Sequence, residues 1–144
     1  MFIGEYIHNL DTKRRLAVPA KFRRQLGKRA VLTRGLDKCL TLYPLEEWEK
    51  VAGKLSELPM GQKDTRSFVR FFLSGAAQVE LDGLGRVLIP DFLKDYAGLE
   101  DEAVITGVFK WVEIWNKKRW EEYKAGVEGE AGALAEKLGE IGAY

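Results

Sequence analysis

The apolar and polar positions of this chain follow one order of patterns twice. In each series, two short apolar runs typical of strands flank a polar turn, and a short amphipathic segment begins at a proline. Two further apolar runs and a longer amphipathic segment complete the series. The apolar runs after the turns lie at 16–18, 30–33 and 39–43 in the first series, and at 87–89, 103–106 and 111–115 in the second.

The turns themselves carry the clearest repeat. Residues 10–19 read LDTKRRLAVP and residues 81–90 read LDGLGRVLIP, so that Leu-Asp-x-x-x-Arg, three apolar residues and Pro recur 71 positions later. An aspartate opens a turn well because its carboxylate can accept backbone N–H groups. The proline keeps the preceding residue extended and allows a helix to begin. A repeat that continues through the following elements indicates a duplicated unit.

Helices are predicted at five places. Two short ones run from Pro19 to Gly27 and from Pro90 to Gly98, and a longer one begins after Pro44 and ends near Leu58. Further helices are expected from an N-cap at Asp64 to Leu73, and after Asn116 across Trp120 and Tyr123. The last 21 residues contain five glycines, each costing about 1 kcal/mol in a helix, which predicts a frayed tail.

The predicted fold class is α+β, mainly β. Four short strands would leave open edges, which two copies can cover for one another, giving a single pseudo-twofold barrel with short helices and helical extensions. The predicted organisation is a first unit at 4–50, a helical connector at 51–74, a second unit at 75–123 and a Gly/Ala-rich tail at 124–144.

Composition narrows the class of protein. The 144 residues are 46% hydrophobic and 31% charged, as expected of a soluble globular protein, and no apolar run approaches the ~20 residues of a membrane span. One cysteine, Cys39, excludes an intramolecular disulfide, and one histidine, His8, leaves no Cys/His metal cluster and no hydrolytic triad. We therefore expect a cytoplasmic protein without a metal or cofactor.

Charge differs sharply between the two copies. Residues 11–34 hold nine basic residues against one aspartate, whereas residues 82–107 hold two basic residues against six acidic ones. The first copy is thus suited to a polyanion such as DNA, and opposite charge could also pair copies of neighbouring chains. The basic residues of the first copy are Lys13, Arg14, Arg15, Lys21, Arg23, Arg24, Lys28, Arg29 and Arg34.

The paired Asp-x-x-x-Arg turns resemble the MraZ family, bacterial transcriptional regulators with two AbrB-type units in one chain. The start Met1-Phe2-x-Gly4, the segment Leu42-Tyr43-Pro44-Leu45 and Trp48-Glu49 add to the resemblance, which covers residues 1–123. It implies an AbrB-like swapped-hairpin β-barrel, ring-shaped homo-oligomers and nucleoid association. It also implies sequence-specific binding to short direct repeats in a promoter, and control of the division and cell-wall gene cluster.

The resemblance places the family's signature residues at Asp11 and Arg15 in the first unit and at Asp82 and Arg86 in the second. Arg14 stands where the family pattern has glycine, which costs roughly 1–2 kcal/mol if that position is left-handed. We expect Asp11, Asp82 and Arg86 to brace the turns. The predicted DNA-binding residues are Lys13, Arg14, Arg15, Lys21, Arg23 and Arg24, the helix residues contacting phosphates.

Two other function classes compete with a DNA-binding regulator. An antitoxin-like module would bind DNA through the same fold and hold a toxin through its helical extensions. An enzyme would need catalytic side chains, and the sequence has no such constellation beyond the turn aspartates. The sequence therefore predicts a non-enzymatic protein whose partners are double-stranded DNA and copies of itself.

Overall fold

The computed structural model describes all 144 residues and has eight strands, five α-helices and a short 3-10 helix at Leu36–Lys38, which confirms the α+β class. The first unit comprises β1 (Glu5–Asn9), β2 (Arg15–Ala17), α1 (Ala20–Leu26), β3 (Arg29–Arg34), β4 (Leu40–Pro44) and α2 (Leu45–Ser56). Helix α3 (Lys63–Ser74) leads into the second unit, β5 (Ala77–Glu80), β6 (Arg86–Leu88), α4 (Asp91–Ala97), β7 (Glu102–Val108), β8 (Trp111–Asn116) and α5 (Lys117–Glu140).

The strands form two sheets in which the units exchange strands. A six-stranded sheet has the order β1-β7-β8-β4-β3-β5, and β2 pairs with β6 in a two-stranded ribbon. The first strand of each unit thus pairs antiparallel with the third strand of the other. The expected closed barrel is not seen, because the ladder ends at β1 and β5. Their neighbours β2 and β6 pair with each other and leave the two edges open.

Strand register follows the pseudo-twofold relation that the repeat predicts. In the ribbon, Leu16 pairs with Val87, its own equivalent 71 residues later. At the centre of the large sheet, Thr41 pairs with Glu113, its equivalent 72 residues later. The approximate axis therefore passes through both pairs and relates the two turn motifs.

One core joins the two units. Twenty buried residues, most of them on strands, form a single apolar cluster between the inner face of the large sheet, the ribbon and the short helices. Helix α1 contributes Phe22 and Leu26, and α4 contributes Leu93 and Ala97 at the equivalent positions. Burying apolar area in one shared cluster makes neither unit an independent folding module.

Two helix predictions need correction. Helix α3 begins at Lys63 after Gln62, so Asp64 lies in the first turn and is not the N-cap. The segment expected to fray is helical to Glu140, because α5 continues from its N-cap Asn116, whose side chain accepts the backbone N–H of Arg119 at 2.9 Å. None of the five helices is both long enough and apolar enough to cross a membrane.

Candidate nucleic-acid interface

The first turn is closed by the carboxylate of Asp11. Its Oδ1 accepts the backbone N–H groups of Lys13 and Arg15, both at 2.9 Å. Its Oδ2 accepts Nε of Arg15 at 2.8 Å. The backbone adds bonds from Asp11 N to Arg15 O and from Arg14 N to Asp11 O, both at 3.0 Å. The Asp-x-x-x-Arg spacing is therefore the spacing that one carboxylate needs to hold the whole reversal.

The second turn repeats this arrangement bond for bond. Asp82 accepts the N–H groups of Leu84 at 2.9 Å and of Arg86 at 3.0 Å, and its Oδ2 accepts Nε of Arg86 at 2.8 Å. Backbone hydrogen bonds from the Arg15 and Arg86 amides are the largest cause that lowers the pKa of Asp11 and of Asp82, respectively. Both carboxylates are therefore ionised at neutral pH, and they orient the two arginines.

Arg14 occupies the left-handed conformation that its glycine equivalent predicts. Its φ is +61°, and that of Gly85 in the second turn is +74°. The Arg14 side chain does not extend freely from the turn tip, because Nε donates to Ile89 O at 3.1 Å and Nη1 contacts Asp91 Oδ1 at 2.8 Å. Asp91 therefore has an ion-pair partner within its own chain.

Arg15 and Arg86 share the outward face of the β2–β6 ribbon. Leu16 and Val87 point inward and are fully buried, so the alternating residues face outward. The two arginines differ in their charged surroundings, since Arg86 Nη1 lies 3.9 Å from Asp11 Oδ2 in addition to its own aspartate. The Arg15 side chain is 35% exposed and that of Arg86 27%. Arg15 is the more available of the two.

The predicted cations of the first unit fall into two groups. Lys13, Lys21 and Arg24 are exposed and take part in none of the ion pairs of the structure. Arg23, in contrast, is half-buried and donates Nε to Val18 O at 2.9 Å. A Cβ added to Gly85 would lie 2.2 Å from Arg23 Nε, so this arginine packs directly on the second turn.

Sequence reasoning missed three exposed apolar residues of the second unit. Leu84, Leu88 and Phe92 are 67%, 51% and 45% exposed. The offset of 71 pairs them with Lys13, Ala17 and Lys21, so the repeat itself held the signal. Leu88 lies directly opposite Arg15 in the ribbon register. The ribbon therefore presents a guanidinium beside an aliphatic side chain.

Comparison with known proteins identifies the family. A family model described as "MraZ protein, putative antitoxin-like" matches residues 1–71 and again residues 72–136. Proteins named "Transcriptional regulator MraZ" are similar over nearly their whole length. That of Acetivibrio thermocellus is 50% identical over 142 residues, and that of Clostridium beijerinckii is 54% identical over 143, with 99% of both chains covered in each case. That of Moorella thermoacetica is 50% identical over 138 residues, or 96% of each chain. Two tandem matches and relatives of this similarity show that the chain belongs to the MraZ family.

Proposed function

We propose that this protein is a transcriptional regulator that binds specific DNA sequences and has no enzymatic activity. The observation that carries the proposal is Arg15, held by Asp11 on the outward face of a ribbon whose surroundings include exposed cations without carboxylate partners. The names of the relatives support it, since they are called transcriptional regulators. A two-stranded ribbon is also narrow enough for the major groove.

The side chains divide into residues that read bases and residues that position the protein. Arg15 can donate two hydrogen bonds to guanine O6 and N7, the most common specific contact in the major groove. Lys13, Lys21 and Arg24 are suited to phosphate contacts, which fix orientation without reading sequence. Arg14 donates to Ile89 O and Arg23 to Val18 O, so both are held close to the ribbon and would add positive charge there.

Leu88 extends this interface. Residues Arg15 and Leu88 form a cross-strand pair, and such pairs place side chains about 5 Å apart. An aliphatic side chain in the major groove can contact the methyl group of thymine. The pair would therefore favour a thymine close to the guanine that Arg15 reads.

Apart from Leu88, the second unit serves the turn architecture and assembly. Asp82 and Arg86 brace a turn whose own residues, Gly83, Leu84 and Gly85, carry no charge, in an acidic part of the sequence. Several subunits in a ring-shaped homo-oligomer would present successive Arg15 side chains to short direct repeats, which raises affinity by multivalency. The strand exchange between units would be the swapped-hairpin arrangement of AbrB-type proteins.

The biological setting of the proposal follows from the family resemblance. The protein would act in the cytoplasm, associated with the nucleoid, on the promoter of the division and cell-wall gene cluster. Immunoprecipitation of the protein with cellular DNA tests this directly. Recovery of that promoter supports the setting, and its absence among the bound fragments contradicts it.

Selection of bound sequences from random duplex DNA tests the molecular function. We expect enrichment of a short motif containing guanine, repeated in the same orientation, at two salt concentrations. Affinity for random duplexes should fall steeply as salt increases, because it depends on phosphate contacts that release counterions. The ratio of affinity for the motif to affinity for random duplexes should change less. Failure to enrich any motif would refute sequence-specific binding.

An antitoxin-like module is the second candidate. The description of the matching family includes the words antitoxin-like, and the outer part of α5 is exposed along its length. Such a protein would hold a toxin through its helical extension. Purification from the native cells distinguishes the two candidates, because a stoichiometric toxin favours this one and its absence favours the regulator.

A further inference from the structure

In the first unit, two helices cover the outer face of the sheet. Helices α2 and α3 pack against β3 and against each other, joined by the short connection at 57–62. Two side chains of β3 hold α3 in place. The Thr33 hydroxyl donates to Phe72 O at 2.6 Å, and Arg34 Nη1 donates to Phe71 O at 3.0 Å.

In the second unit, the threonine equivalent to Thr33 has no partner, while the backbone of Phe2 and Ile3 packs on the neighbouring Gly107. Thr106 corresponds to Thr33 in the repeat and is only 5% exposed, yet its Oγ1 makes no hydrogen bond. Gly107 takes the position of Arg34. Helix α5 packs against β7 and β8 as α2 packs against β3 and β4, with Trp120 at the position of Trp48. In this structure no helix lies beside α5 in the place that α3 takes beside α2.

Helix α5 extends beyond the sheet that supports it. Its inner segment, residues 117–124, packs through Trp120 and Tyr123 on Trp115, and Lys124 binds Glu5 at 2.8 Å. Its outer segment, residues 125–140, has no buried side chain. Three of its four glycines, at 126, 129 and 132, face open space, since a Cβ added to any of them would meet no other element within 4 Å. A helix with this many glycines needs packing to be stable.

The outer segment and its C-cap residue, Ile141, carry a narrow apolar stripe. Its members recur at intervals of four and three residues, which places them within about 80° of one another around the helix. Leu134, Leu138 and Ile141 are 38%, 45% and 76% exposed. Such a seam is typical of a helix that packs against another element. The stripe consists of Val127, Ala131, Leu134, Leu138 and Ile141.

We propose that the outer segment of α5 docks on the second unit of another copy of this chain, in the place that α3 occupies on the first unit. The contact is reciprocal, so two α5 helices lie side by side and antiparallel, as α2 and α3 do. This proposal rests on the homo-oligomer proposed above and names a surface that pairs two chains. The ring would close through other, head-to-tail contacts, and the turn ribbons take no part in the pairing.

Length and charge support this occupant. The fourteen residues at 127–140 span about 21 Å as a helix, against about 18 Å for the twelve residues of α3. The inner segment has four basic and two acidic residues, and the outer segment has one basic and four acidic. Antiparallel pairing places the basic inner segment of one helix beside the acidic outer segment of the other. Parallel pairing would place like charges side by side.

Spin labels test the orientation in the full-length protein. With Cys39 replaced by Ala, single cysteines at Glu128→Cys and Glu140→Cys carry one label per chain. If the inner segment lies beside the partner's outer segment, the helices cross near residue 127. Labels at 128 should then lie within about 20 Å of each other and labels at 140 roughly 40 Å apart.

Two outcomes of this measurement overturn the proposal. Short distances at both positions would indicate parallel helices, and no measurable coupling at position 128 would indicate no α5 contact. A homo-oligomer that lacks the predicted pattern of distances would leave the proposed ring intact and refute only this surface.

Substitution in the stripe provides a second test. The double variant L134E/L138E should lower the mass in light scattering, while Glu136→Gln, on the opposite side of α5, should leave it unchanged. High salt should weaken the wild-type contact. A wild-type protein with the mass of one chain, 16.3 kDa, or a double variant of undiminished mass would contradict the proposal.

Discussion

Replacing Arg14 separates backbone strain from side-chain contacts in the first turn. Its φ of +61° costs a residue with a side chain roughly 1–2 kcal/mol. The hydrogen bond from Nε to Ile89 O offsets about 1 kcal/mol of this. The pair with Asp91, whose side chain is 74% exposed, contributes no more than about 1 kcal/mol because solvent screens it.

These magnitudes predict different outcomes for two variants. Arg14→Ala keeps the left-handed strain and loses the contacts, so its free energy of unfolding should fall by about 1–2 kcal/mol. Arg14→Gly loses the same contacts and relieves the strain, so it should remain within about 1 kcal/mol of the wild type. Urea denaturation measures both, with Asp91→Asn as the control for the ion pair. Equal stability of the Gly and Ala variants would refute the strain argument.

Three further predictions concern phosphate contact, acid stability and base reading. Replacing Lys21 and Arg24 together with Ala should lower the slope of log K against log salt by about 2, measured by fluorescence anisotropy, and an unchanged slope would place both residues away from DNA. Since folding lowers the pKa of Asp11 and Asp82, their contribution to stability is present above their ordinary pKa of 3.8 and lost as pH falls through the lowered values. The free energy of unfolding, measured by tryptophan fluorescence at a series of pH values, should thus decrease less steeply with falling pH in D11N/D82N than in the wild type, and an equal dependence on pH would contradict this. Replacing the thymine near the contacted guanine by uracil should weaken wild-type binding and leave Leu88→Ala unaffected, and equal losses in both proteins would exclude a methyl contact.

Local chemistry made much of the fold predictable. The Asp-x-x-x-Arg spacing, Pro19 and Pro90 set turns and helix starts within a few residues, and the offset of 71 carried the assignments from one unit to the other. The glycine that the family pattern has at position 14 raised a left-handed backbone there as a condition, and the structure shows that Arg14 adopts it. These features depend on residues that are near in sequence, which is why the pattern contained them.

Long-range contacts account for what the sequence did not show. The ion pair of Arg14 with Asp91 joins residues 77 positions apart, and the cross-strand pair of Arg15 with Leu88 joins residues 73 positions apart. The ladder leaves β1 and β5 as edges although strand counting predicted closure. Glycine propensity predicted a frayed end for α5, but the helix is nucleated by its Asn116 cap and the aromatic cluster around Trp120.

In the function proposed above, Arg15 reads a base whereas Arg86 braces its turn. These roles are compared by measuring affinity for the selected operator and for random duplex DNA in Arg15→Ala and Arg86→Ala, after circular dichroism has shown that each variant is folded. We expect Arg15→Ala to lower the ratio of the two affinities by about tenfold or more, since one bidentate contact with guanine is worth roughly 1–3 kcal/mol of discrimination. Arg86→Ala should change the ratio little. An unchanged ratio in folded Arg15→Ala would refute base reading by Arg15.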